Sequence, residues 1–345
     1  MRRHFLDYPL SASEIILSAG AEDSEHFMPL MVSHLKHGDK IPFDLYIKVK
    51  TKDSPEPQYF LCCPRDQVFH RRWYRKLRSL KVTNLYFAPA DLEFVTDFLE
   101  EQLDRSVQSE KMSNLQKGIF TYEVIQSWTR NFFTCEKMQA TSQVKRSLKF
   151  IDRFMHIIRQ ENTHLGFVFD IRRHDNTLYN HCLNVSMLGM AFVTFLGWPQ
   201  EKVRDFGLGA LLHDIGMTKT SSDLLQKNAP LTYEEREQIE RHPSRGFALL
   251  KNFTCIWRDP LLMVLHHHEN GDGSGYPQEL KLPLIHPWAR ILRIVDSYEA
   301  MTAARPWRPP WSPQEALRIM RTDWEVSQIY DPMYLKAFIK FLSQI

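Results

Sequence analysis

The chain has 345 residues, 43% of them hydrophobic and 25% charged, with 44 Lys and Arg against 41 Asp and Glu for a formal charge of +3. That length exceeds what one hydrophobic core ordinarily organises, so two units with a connector are expected, and the composition excludes a disordered or fibrous chain. The near balance of charge argues against duplex DNA as a partner, so any nucleotide has to be recognised locally.

At the N-terminus, Met1-Arg2-Arg3-His4 is basic but reaches Asp7 and Pro9 before any apolar run of signal-peptide length, so no export signal is expected. Five cysteines, Cys62, Cys63, Cys135, Cys182 and Cys255, are odd in number and lack C-x-x-C spacing. Neither a disulfide framework nor a thiolate zinc site is expected, and a cytoplasmic location fits. Phe43, Leu45, Ile47 and Val49 alternate with mostly polar neighbours, which predicts a half-buried strand over Phe43 to Lys50. Thr51 to Pro57 carries two prolines and mixed charge, and Tyr59 to Cys63 resumes a short apolar run, as in a hairpin with a longer loop. A third strand is expected at Leu85 to Ala88, and a helix at Trp73 to Leu80. Leu92, Val95, Phe98, Leu99 and Leu103 recur at helical spacing behind Asp91, an expected N-cap. Residues 1–103 thus predict a small α+β domain that regulates or docks a partner.

From Asp104 onwards strand patterns vanish and charges interleave with apolar residues, which predicts a solvated helical connector over 104–165. Residues 166–345 read as all-α, broken by Pro199, Asn228-Ala229-Pro230, Gly271 to Pro277 and Arg305 to Pro313. Thr177 to Gln200 contains no Lys, Arg, Asp or Glu and is long enough to span a bilayer. Asn180, His181, Asn184 and Gln200 interrupt it and Pro199 closes it, so a buried helix is expected and no membrane span.

Chemistry enters with the order His181, His213-Asp214, His242, His267-His268, Asp296, each on or at the end of a predicted helix. Helices bring such residues into a bundle interior, where imidazoles and carboxylates build metal sites. Adjacent helical residues diverge by roughly 100°, so His213 and Asp214 cannot both aim at one distant ion but can flank a pair. A carboxylate with two oxygens is the natural bridge. A mixed imidazole and carboxylate site without thiolate favours iron or manganese.

In order and spacing, His181, Leu212-His213-Asp214-Ile215-Gly216, His242-Pro243, His267-His268-Glu269, Asp272-Gly273-Ser274-Gly275-Tyr276-Pro277 and the run from Arg290 to Asp296 resemble the HD-GYP family. The likeness covers about half of the chain, from about residue 170 onwards. It implies an all-α HD-type helical bundle that hydrolyses the bacterial messenger cyclic di-GMP at a centre of two or three metal ions. One ion would take His181, His213 and Asp296, the other His242, His267 and His268, with Asp214 bridging both. The Glu that some members place one helical turn before the first histidine is Thr177 here, so two ions are expected, with Asp175 a weak candidate for a third. The likeness also puts Gly275, Tyr276, Pro277, Glu299, Arg305 and Arg308 at the substrate. It makes Glu269 a non-ligand that orients a histidine or caps a loop; His266 and Cys182 are expected to lie outside the site.

Two ions ~3.5–4 Å apart can lower the pKa of a bridging water, hold a phosphoryl oxygen and neutralise charge in an in-line displacement. The expected nucleophile is then hydroxide held between the ions, with Asp214 as the catalytic bridge and pGpG, then GMP, as products. No serine elbow, P-loop or G-x-G-x-x-G fingerprint competes with this. Where the family usually reads His-Asp-x-Gly-Lys, this chain has Met217, which predicts reduced activity; Lys219, two residues on, is the replacement catalytic cation considered. The alternatives are a metal-loaded receptor with weak turnover and a hydrolase of another cyclic dinucleotide. A protein partner is envisaged at the N-terminal domain or at the Gly-Tyr-Pro loop.

Overall fold

The computed structural model describes residues 27–51, 54–134, 141–160, 177–225, 227, 229–304 and 308–344. The chain divides into two compact units, Met1–Met112 and Ser113–Ile345.

The first unit is α+β. Its strands are β1 (Met28–Met31), β2 (Lys40–Ile41), β3 (Leu45–Thr51), β4 (Ser54–Cys63), β5 (Gln67–Val68) and β6 (Asn84–Phe87), with helices α1 (Arg71–Ser79) and α2 (Leu92–Val107). Four strands form an antiparallel sheet in the order β1-β6-β3-β4, while β2 and β5 pair separately. The alternation in β3 puts Leu45, Ile47 and Val49 on one buried face, with Phe43 before the strand and Leu85 and Phe87 on β6 also buried, while Lys48 and Tyr86 are buried on the opposite face. Helix α2 buries Val95, Phe98, Leu99 and Leu103, and Phe98 meets Phe43 edge-on at 5.6 Å. Asp91 precedes α2 as expected but makes no side-chain cap; its carboxylate pairs with Arg65 instead.

The second unit is helical: α3 (Asn114–Thr134), α4 (Thr141–Gln160), α5 (Leu178–Phe195), α6 (Gln200–Leu212), α7 (Tyr233–Glu240), α8 (His242–Leu250), α9 (Arg258–His266), α10 (Pro287–Thr302), α11 (Pro313–Ser327) and α12 (Pro332–Leu342). Every residue of α5 from Asn180 to Val193 is buried, which is why that stretch carries no charge. Helix α6 lies close against it, because a Cβ on Gly207 would come within 2.4 Å of the Met190 sulfur. Among the described residues no helix is long and apolar enough to cross a membrane.

The structure departs from the solvated connector expected over 104–165. Helices α3 and α4 belong to the second unit and pack on α5 and α6. Tyr122, Trp128 and Phe132 of α3 and Phe150 and Phe154 of α4 are buried, with Trp128 stacked on Phe132 at 4.8 Å. Burying one such side chain stabilises by about 1.5–3 kcal/mol, more than interleaved surface charge can offset. Some of the charges that suggested solvation, Lys145 and Lys149 among them, are exposed, while Glu123 of α3 is itself buried.

Candidate metal centre and pocket

Helix ends set most of the histidines. His181 lies in the first turn of α5, His213 follows the last residue of α6, His242 opens α8 ahead of Pro243, and His267 and His268 follow α9. Asp296 points in from the middle of α10, and Asp214 follows His213. The structure brings all seven together in two groups, whose ligand atoms lie within 4.8 Å of one another: His181, His213 and Asp296 in one, and Asp214, His242, His267 and His268 in the other.

Asp214 faces both groups. Its Oδ1 lies 3.0 Å from His242 Nε2 and 3.5 Å from His267 Nε2. Its Oδ2 lies 3.5 Å from His213 Nε2 and 3.9 Å from His181 Nε2. The imidazoles are oriented from behind. Nδ1 of His213, His242 and His267 each meets the carbonyl three residues back, Ala210, Ile239 and Val264, at 2.7–2.8 Å. A carbonyl only accepts, so each Nδ1 carries the hydrogen and each Nε2 lone pair faces the centre. His242 and His267 thus set two lone pairs 3.1 Å apart, and the buried Nε2 of His213 has no hydrogen-bond partner. Opposed lone pairs and an orphaned buried acceptor call for a cation. The donor set of imidazole nitrogens and carboxylate oxygens fits divalent ions.

Titration tells the same story. Burial and its histidine neighbours push His267 down to about 4 and His268 well below the usual range, so both rings are neutral at neutral pH, the form in which an imidazole can bind a metal. Burial also lowers His181, but the Glu299 and Asp296 carboxylates outweigh it and raise the ring to about 10. Burial raises Asp214, yet His213, His242 and His267 hold it well below the carboxylate range. Cys182 lies near His213 and Asp214, but burial lifts its thiol far above the usual value, leaving a protonated core side chain.

Glu299, expected at the substrate, lies behind His181 instead. It is 1% exposed; Oε2 sits 2.6 Å from His181 Nδ1, and Oε1 accepts from Asn184 Nδ2 at 2.8 Å. Tyr122 of α3 donates to Asn184 Oδ1 at 3.0 Å, so a buried chain of hydrogen bonds runs from α3 to a metal-site histidine. Both carboxylate oxygens of Glu299 are thus engaged inside the bundle. Glu269 caps a loop by accepting from the backbone N–H groups of Gln278 and Leu280 at 2.7 and 2.8 Å. His266 stays outside both groups and meets Gln278 at 2.9 Å.

The Gly275-Tyr276-Pro277 loop is built against the metal centre. A Cβ on Gly275 would fall 2.3 Å from Asn270 N and 2.4 Å from His268 O, so only glycine permits the approach. The approach places the Tyr276 ring stacked on His268 at 4.8 Å. None of the three residues lines the pocket that opens beside these groups; Tyr276 instead meets His268, by its ring and by its N–H to the His268 carbonyl at 3.2 Å.

That pocket measures about 380 Å³ and is lined by His181, Asp214, His268 and Asp296, together with Arg293, Ser297, Ala300, Met301 and Tyr330. Neither Met217 nor Lys219 lines it; Lys219 is exposed at the end of the 3-10 turn Ile215–Lys219. Arg308 also departs from the expected substrate contact. Its guanidinium donates to the carbonyls of Ala300 and Met301 at 2.6 and 2.9 Å, satisfying the exposed end of α10. Arg305 and Asp175 lie outside the described residues. Sequence reasoning missed Arg293, although it stands one turn before Asp296, where helical spacing puts it on the same face. Arg290, which opens that run, is a clip, bonded to Asp331 at 3.2 Å and to Ile285 O at 2.8 Å.

Residues 171–333 match the HD domain model. A cyclic di-GMP phosphodiesterase of Pseudomonas aeruginosa is 34% identical over 184 residues, 53% of this chain and 44% of that protein. A cyclic di-GMP phosphodiesterase response regulator of Xanthomonas campestris is 32% identical over 151 residues, 44% and 39% of the two chains. A 3'3'-cGAMP-specific phosphodiesterase of Vibrio cholerae is 32% identical over 162 residues, 44% and 36% of the two chains. The chain spans under half the length of these relatives. A solved HDG"Y"P protein from Bdellovibrio bacteriovorus superposes with a TM-score of 0.68 at 19% identity, over 92% of this chain and 99% of that one, which establishes the shared fold. Residues 171–333 thus match the HD domain model, and the chain is similar in sequence to cyclic dinucleotide phosphodiesterases and shares its fold with the Bdellovibrio protein.

Proposed function

We propose that the helical unit is a metal-dependent phosphodiesterase that opens cyclic di-GMP to pGpG. The observation that carries this reading is Asp214, whose two oxygens face separate buried histidine groups, the arrangement a pair of ions needs. Cyclic di-GMP phosphodiesterases among the relatives supply the substrate class. When bound, divalent ions supply water activation and charge neutralisation on the phosphoryl group. The chain's own part is to hold the ligand atoms. His213, His242 and His267 are locked by backbone carbonyls, His181 by Glu299, and His268 by the Tyr276 ring. This preorganisation removes reorganisation cost from the reaction.

A second reading, hydrolysis of a related cyclic dinucleotide, is favoured by the 3'3'-cGAMP-specific relative. The test is to supply the purified, manganese- or iron-loaded protein with cyclic di-GMP and with 3'3'-cGAMP and to identify products by chromatography. Conversion of cyclic di-GMP to pGpG supports the reading. Cleavage of cGAMP alone moves it to the second substrate, and cleavage of neither, at full metal content, overturns it in favour of a receptor.

A further inference from the structure

Among the described residues, Arg293 is the one Arg or Lys that lines the pocket, in a wall that also carries the carboxylates of Asp214 and Asp296. It has not collapsed onto either acid. Its Nε and Nη2 donate instead to Asn270 Oδ1 at 3.2 and 3.0 Å, and its guanidinium carbon lies 5.9 Å from the Tyr330 ring centroid. Asn270 belongs to the loop just after His267 and His268, so the guanidinium is anchored to the segment that carries two metal-site histidines. Ser297, one turn further along α10, and Tyr330 share the same wall. A neutral carboxamide fixes the direction of the fork without cancelling its charge. Such a fixed, charged, planar donor suits the oxygens of a phosphate.

We propose that Arg293 is the phosphate-holding cation of this pocket. It supplies from α10 the positive charge that neither Met217 nor Lys219 brings to the wall, and it rests on the reading of the pocket as a phosphodiester site. Its role is to bind and orient a phosphate oxygen beside the metal groups, with Asn270 as the positioning residue that aims it.

The test uses the full-length, manganese-loaded protein and its Arg293→Ala, Arg293→Lys and Asn270→Ala variants, with inorganic phosphate as the probe in calorimetry. Loss of one charge-assisted contact is expected to weaken phosphate binding about tenfold or more in Arg293→Ala, with Arg293→Lys intermediate. Asn270→Ala is expected to weaken it less, because the charge remains while its aim is lost. Metal content and melting temperature should stay at the parent values, which separates a ligand contact from a merely structural clip. Phosphate affinity within twofold of the parent in Arg293→Ala, or no phosphate binding by the parent itself, overturns the proposal. So does a loss of binding that only tracks lost metal or lost folding. Cyclic di-GMP turnover is measured alongside. Weakened phosphate binding in a protein that leaves cyclic di-GMP intact keeps Arg293 as the phosphate cation and removes the substrate reading, whereas turnover with unaltered phosphate affinity does the reverse.

Discussion

Replacing Glu299 by Gln separates the two halves of the metal centre. The side chain is buried, and its two carboxylate oxygens accept from His181 Nδ1 at 2.6 Å and Asn184 Nδ2 at 2.8 Å. A carboxamide keeps the shape but offers one acceptor and one donor. If its oxygen faces His181, its NH2 meets the NH2 of Asn184; if it is flipped, it confronts the N–H of His181. Either way one buried donor is left facing another, at a cost of about 1–3 kcal/mol. The negative charge that strengthens His181 as a ligand is also gone. Partners of this kind typically contribute 10–100-fold to metal affinity. Manganese titrated into the metal-free variant should therefore show one site weakened about 10–100-fold and the His242, His267 and His268 site close to the parent. Asp214→Ala, which removes the shared carboxylate, should instead weaken both. Equal weakening of both sites in Glu299→Gln, or none, would refute the assignment of Glu299 to His181.

Metal uptake should release protons and strengthen as pH rises. Against burial, the Glu299 and Asp296 carboxylates raise His181 to about 10, so it holds a proton at neutral pH in the metal-free protein and an ion must displace it, whereas His267, near 4, needs no such displacement. Manganese affinity measured from pH 6 to 9 should climb steadily; a flat profile contradicts this. A fragment of residues 113–345 should fold and bind metal, because α3 and α4 belong to that unit, while one beginning at 166 should expose the faces that meet Trp128 and Phe150 and aggregate. Circular dichroism and size-exclusion chromatography distinguish these outcomes, and a well-folded 166–345 fragment would restore the connector reading. Gly275→Ala has to displace backbone at Asn270 or His268, and overpacking of this order costs about 1–3 kcal/mol or more. Its melting temperature and metal affinity should both fall, and parent-like values would show that the Tyr276 loop does not support His268.

The second unit was legible where chemistry and periodicity coincide. Seven ligand-type residues stood out because imidazoles and carboxylates recurred at helix ends, and the uncharged stretch of α5 announced its own burial. In the first unit, β3 could be read from strict alternation, whereas β2 and β5 are two residues each and leave no period to detect. Glu299 and Arg308 were placed by likeness and Lys219 by its position two residues after Met217, but which way each side chain faces is set by its helix or turn. Glu299 turns inward to His181, Arg308 turns back to its helix end, and Lys219 faces solvent. Arg293 was overlooked for the converse reason, since nothing in a single Arg on an amphipathic helix says that its neighbour Asn270 holds it at a pocket wall. The packing of α3 and α4 was hidden by interleaved charges, although Trp128, Phe132, Phe150 and Phe154 recur at positions that can share an inner face.

The claim that Asp214 joins two ion sites into one phosphodiesterase centre is tested most directly by titrating manganese into metal-free protein while following cyclic di-GMP hydrolysis in the same samples. Turnover to pGpG should appear as the second equivalent binds and level off at two per chain. No turnover with two equivalents bound, or full turnover with one, would contradict it.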